Sequence, residues 1–99
     1  MSLAGHWEIE LKTPFGIQRF GMDVTEVQGG WAGTLTNQQG SSALEGLQLK
    51  ADGLWFRARV KLSFGEHDLA FAGVLRNNKM WGKCKSAFGR HDFMAERLP

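Results

Sequence analysis

Four residues hold most of the chemistry this 99-residue chain can offer: His67, Cys84, Ser86 and His91. An imidazole that is half-buried titrates near neutrality and can serve as acid or base. A metal site would need a third and a fourth ligand. Only Glu66 and Asp92 are close, and the Glu-His-Asp and His-x-Asp spacings match no metal motif. A Cys84–His91 nucleophile pair would lack the third group that orients the base. Against these stands a structural role, in which both histidines are polar residues hydrogen-bonded to turn backbone. No metal and no cofactor is implied.

The elements that must position these residues are strands. In Gly5-His6-Trp7-Glu8-Ile9-Glu10-Leu11-Lys12, Trp7, Ile9 and Leu11 fall on one side and polar residues on the other. That period of two marks a half-buried strand. Seven more segments follow, giving strands at about 4–12, 17–27, 31–36, 43–50, 54–62, 67–75, 79–86 and 91–98. The breaks carry Gly, Asn, Asp or Pro, as hairpin turns require, and no segment shows a helical stripe. Short connections make sequence neighbours antiparallel neighbours, and an even strand count lets the first and last strands pair. The expectation is one all-β domain over residues 1–99, an eight-stranded antiparallel up-and-down meander barrel, with a two-sheet sandwich as the competitor.

Symmetric hairpins predict Leu62 opposite His67, Ala58 opposite Phe71, Leu75 opposite Met80, Ser86 opposite His91 and Cys84 opposite Phe93. In such a meander alternate turns lie at opposite ends. One end brings Trp7 beside Arg97, where a guanidinium stacked on the indole would act as a structural plug. The other end gathers three Phe-Gly turns, Phe15-Gly16, Phe64-Gly65 and Phe88-Gly89. Their rings either cork the barrel or form a hydrophobic lip around a pocket. His67, Ser86 and His91 take the inward parity beneath that rim, with Cys84 one layer deeper and Phe71 and Phe93 below. Strands six and eight stand about 9–10 Å apart, so both imidazoles could reach one ligand.

Several short motifs carry a resemblance. They are Gly5-x-Trp7, Thr13-Pro14-x-Gly16, Gly30-Trp31-x-Gly33-Thr34, Leu69-x-Phe71-x-Gly73, Met80-x-Gly82, Phe88-Gly89 and Phe93-x-Ala95-x-Arg97. Together they resemble the calycins, the group of lipocalins, fatty-acid-binding proteins and avidins, and are similar to small avidin- or streptavidin-like barrel domains of bacterial proteins. The resemblance implies a closed barrel with a ligand-holding interior. It does not extend to biotin: the chain has no Tyr and ends strand one with Lys12-Thr13-Pro14. The helix that follows a lipocalin barrel has no counterpart.

The outward face of strands five to seven is aromatic and basic. The predicted registers set Trp55 and Trp81 either side of Val74, with Arg57, Arg59, Lys61, Lys83 and Lys85 flanking Ala70 and Ala72. Such a face suits a second copy of the chain packing against it. It could also stack single-stranded nucleic acid, but no RNA-binding motif is present, and twelve basic against ten acidic residues leave a net charge of only +2. One cysteine excludes an internal disulfide framework. With no signal-like N-terminus and no apolar span, a soluble cytoplasmic protein without a membrane partner is expected.

The sequence therefore favours a small barrel that binds a small hydrophobic or aromatic molecule at the His67/His91 end. The candidate binding residues are His67, Ser86, His91, Cys84, Phe71, Phe93, Phe15, Phe64 and Phe88. A homodimer through Trp55, Val74, Trp81, Ala70 and Ala72 is the alternative. A small isomerase or cyclase using His67 or His91 as acid or base is a third reading, and the sequence inclines to a non-enzyme.

Overall fold

The computed structural model describes residues 3–99, so the first two residues of the N-terminus and of the 1–99 domain lie outside it. Nine antiparallel strands form one sheet: β1 (Gly5–Thr13), β2 (Gly16–Val27), β3 (Gly30–Asn37), β4 (Gly40–Ala43), β5 (Glu45–Lys50), β6 (Gly53–Leu62), β7 (Gly65–Arg76), β8 (Lys79–Ser86) and β9 (Gly89–Arg97). The described residues contain no helix. Strand burial follows the sequence period. In β6 every second residue from Leu54 to Leu62 is buried, and Trp55, Arg57, Arg59 and Lys61 between them are exposed, because successive side chains leave opposite faces. The sheet order is β4-β3-β2-β1-β9-β8-β7-β6-β5, with first and last strands paired from Trp7↔Arg97 to Leu11↔Phe93.

Nine strands replace the expected eight because residues 40–43, most of them expected in the turn before the 43–50 segment, form a strand of their own. Residues 40–43 pair with β3, and residues 45–50 pair with β6. Leu44 makes the hand-over, its amide donating to the Gly33 carbonyl at 2.9 Å. A bulge lies between Glu45 and Gln48, where Gly46 adopts φ 61°. The chain has already crossed to the other edge of the sheet at Leu44, and the bulge bends β5 just beyond its first pair with β6. No backbone ladder joins β4 to β5 or β6, so the ring of pairing is not closed. The sheet is nonetheless rolled until β4 lies against β6. There Asn37 Nδ2 donates to the Lys61 carbonyl at 2.8 Å, and the Ser42 hydroxyl donates to the Arg59 carbonyl.

The hairpin at Asn77-Asn78 has the expected register, Leu75↔Met80 and Gly73↔Gly82. The two Phe-Gly hairpins among the last four strands are each shifted by two residues. Leu62 pairs with Gly65 and Ala58 with Leu69, while Ser86 pairs with Gly89 and Cys84 with His91. The cause is local. The turn is the two residues ending in Phe, and the following glycine, at φ 116° in Gly65 and 113° in Gly89, already opens the next strand. An even shift preserves parity, so the inward set is unchanged.

That inward set forms one core, including Trp7, Ile9, Leu11, Phe20, Met22, Leu54, Phe56, Phe71, Met80 and Phe93, each no more than 3% exposed. At the end holding the termini, the Arg97 guanidinium carbon lies 4.6 Å from the centre of the Trp7 ring. The Trp7 indole donates to the Leu3 carbonyl at 3.0 Å, and Arg97 donates to the carbonyls of Ala4 and Asn77.

Candidate functional site

Two places carry more than packing: the aromatic end of the rolled sheet and its outer face over β6–β9.

At the aromatic end, three hairpins point three phenylalanines at one another. Phe15 lies 4.4 Å from Phe64 and 6.1 Å from Phe88, ring centre to ring centre, and Phe64 lies 5.8 Å from Phe88. A shared turn chemistry aims two of them. The Phe15 amide donates to the Thr13 hydroxyl at 3.1 Å, and the Phe88 amide to the Ser86 hydroxyl at 3.4 Å. Those hydroxyls in turn donate to the carbonyls of Gly16 and Gly89. Such side-chain bonds to nearby backbone hold a turn in place of a ladder. Ser86 is therefore a turn-former here. The signal was in the sequence as a hydroxyl residue, one spacer and Phe-Gly, in Thr13-Pro14-Phe15-Gly16 and Ser86-Ala87-Phe88-Gly89.

Both histidines are half-buried and both touch Phe88, at 5.4 Å for His67 and 5.7 Å for His91. His67 also packs on Phe64 at 5.3 Å, with its Nε2 3.5 Å from the Phe64 carbonyl. His91 Nδ1 is buried with no hydrogen-bond partner among the described residues. The neighbouring carboxylates leave for the outer surface. Glu66 and Asp68 flank Arg59 at 3.8 and 3.1 Å, and Asp92 pairs with Lys83. The Lys83 ammonium, by hydrogen bond and by charge, holds the Asp92 carboxyl below its usual range. Among the described residues no group of three His, Cys, Asp or Glu gathers to hold a metal ion.

One layer down, Phe71 stacks on Phe56 at 4.6 Å and meets Phe93 edge-on at 5.0 Å. Cys84 stands directly opposite His91 and is 2% exposed. Burial pushes its thiol from 9.0 up to about 12, partly offset by a hydrogen bond with the Ala70 backbone. A neutral thiol is a poor nucleophile, so the cysteine packs rather than reacts.

This shift has a measurable sign. Above pH 9 the unfolded chain releases the thiol proton while the folded chain keeps it, so this contribution to stability falls as pH rises toward 12. The slope is at most about 1.4 kcal/mol per pH unit. Denaturant titrations at pH 8 to 11 should show the stability advantage of the wild type over Cys84→Ala shrinking with pH. A constant difference would contradict the assignment.

On the outer face, Trp55 and Trp81 are 44% and 43% exposed. Trp81 is opposite Val74, as expected, but the two-residue shift places Ala72 rather than Val74 opposite Trp55. Ala70 now lies between Arg57 and Lys85, and Ala72 between Trp55 and Lys83. The face also includes residues that the sequence reading did not single out. Met94 pairs with Trp81 and is 55% exposed, and Ile17 is 51% exposed. Arg90 stands opposite Lys85. An apolar residue on the outward parity of β9, between Asp92 and Glu96, was the available signal for Met94. A groove of about 400 Å³ runs beside Ile17, Trp81 and Met94, and one of about 610 Å³ runs beside Trp55 and Lys85.

Comparison with family models, with curated proteins and with solved structures finds no match to this chain.

Proposed function

We propose that the chain is a calycin-like, streptavidin-like barrel, its eighth strand made by β4 and β5 acting as one bent strand. We further propose that it binds a small hydrophobic or aromatic molecule at the phenylalanine end. One observation carries this reading: rings from three separate hairpins meet at that end, and the outermost, Phe15, is 62% exposed while resting on Phe64. A large ring left mostly in water, and held there by contacts with two other rings, is easily exchanged for another flat apolar group. The incoming molecule would take the place of Phe15 over Phe64 and Phe88. His91 Nδ1, buried beside Phe88, offers such a guest one polar contact, which fixes orientation in an otherwise apolar site.

The test is titration with a neutral fluorescent naphthylamine. Saturable one-to-one binding is expected, weakened at least tenfold by Phe64→Ser and by His91→Phe. Absent binding, or affinities unchanged in both variants, would reject the site.

A specific observation favours self-association as a second reading. Trp81 and Met94 are exposed cross-strand partners and, with the exposed Ile17 across β1, line the 400 Å³ groove among charged residues, a larger apolar surface than a single exposed residue presents. A homodimer through this surface predicts that Trp81→Glu halves the mass measured in solution by light scattering. An unchanged mass would remove the dimer.

A further inference from the structure

The row Arg57–Ala70–Lys85–Arg90 crosses four strands in strict register on the outer face. Lys85 and Arg90 are direct cross-strand partners, and like charges so placed repel. Among the described residues no ion pair joins Arg57, Lys85 or Arg90 to a carboxylate, whereas Arg59 and Lys83 in the adjoining rows are each paired. Glu45 is the ladder partner of Arg57, yet no ion pair joins them. Lys83, in the next row, is already neutralised by Asp92. The fold therefore keeps three cations in one row with no ion pair to a carboxylate.

These cations border the 610 Å³ groove, whose floor is Ala70 and Ala72 and whose far wall is Trp55. The indole of Trp55 lies back along its own strand over Gly53: a methyl group on that glycine would sit 2.8 Å from the ring. An aromatic ring laid against the strand is a stacking platform, and the alanines leave room for a flat molecule to reach it. An anionic group on the same molecule would meet Lys85, Arg90 and Arg57, where charge-assisted hydrogen bonds are strongest.

We infer that this outer groove binds a small planar aromatic molecule carrying an anionic group such as a phosphate, sulfonate or carboxylate. The aromatic half stacks on Trp55 over Ala72, and the anion neutralises the Lys85–Arg90 pair. This site is separate from the phenylalanine end and does not depend on it.

The probe is 1-naphthyl phosphate, followed by the indole N–H resonance of Trp55. Saturable binding that shifts this resonance is expected, with 1-naphthol and inorganic phosphate each at least tenfold weaker at the same resonance. The double variant Lys85→Ser, Arg90→Ser should lose at least tenfold in affinity. It should also be as stable as the wild type or more so, since the repulsion is gone, which separates lost binding from lost folding. His91→Phe should leave the affinity unchanged, so failure at the phenylalanine end and failure here are distinguishable. Undiminished binding in the double variant, loss of binding in His91→Phe, or a thymidine oligonucleotide binding more than tenfold tighter than the naphthyl phosphate would overturn the inference.

Discussion

Trp7→Ala is expected to lower stability by about 3–5 kcal/mol, the range for deleting a large buried aromatic side chain. For a domain of this size total stability is about 5–15 kcal/mol, so the loss takes between about a fifth and all of it. Three contributions coincide at this residue. Its surface is fully buried, its indole donates to the Leu3 carbonyl, and its ring face receives the Arg97 guanidinium. Removing the indole also strands Arg97, whose stem packs over Gly5 and whose donors hold the carbonyls of Ala4 and Asn77. Trp7→Phe separates these contributions. It keeps a ring under the guanidinium and loses the indole N–H, so about 1–2 kcal/mol is expected. Urea unfolding of the two variants measures both, and equal losses would mean that burial of the aromatic ring is not the dominant contribution.

Gly82→Ala should cost about 3 kcal/mol or more, although it adds a single methyl group. Gly73 and Gly82 face each other in the β7–β8 ladder. A methyl on Gly82 would stand 2.1 Å from the Ala72 carbonyl oxygen, and one on Gly73 would stand 2.1 Å from the Trp81 carbonyl oxygen. These neighbours are backbone atoms of a central ladder and cannot swing aside as a side chain would. For a domain near 100 residues the loss corresponds to a melting point lower by roughly 12–24 °C. Gly21→Ala is the control. Its added methyl would meet only the edge of the His6 ring at 3.5 Å, so a change within about 0.5 kcal/mol is expected. Similar melting points for the two variants would show that β7 and β8 can separate more readily than their packing implies.

Much of this architecture was legible because a strand repeats every two residues. The alternation of Trp7, Ile9 and Leu11 was enough to place β1 and its buried face, and Leu54 through Leu62 did the same for β6. The Asn77-Asn78 register followed from a two-residue turn between matched apolar positions. For the Phe64-Gly65 and Phe88-Gly89 hairpins a symmetric turn is in error by two residues, because a positive φ lets the glycine begin the next strand. Parity survived that error, so which residues face inward was settled correctly even where their partners were not.

Composition and period determined that the described residues form strands joined by turns, which residues are buried, and that three phenylalanines lie on turns. Those properties are local: each depends on residues two or three apart. The hand-over at Leu44, the contact of β4 with β6, the meeting of Phe15 with Phe64, and the unmatched Lys85–Arg90 pair depend on how far the sheet rolls and on cross-strand registers set at its turns. Bulges and turn dihedrals decide both, and a side-chain pattern that repeats every two residues cannot distinguish registers that differ by two.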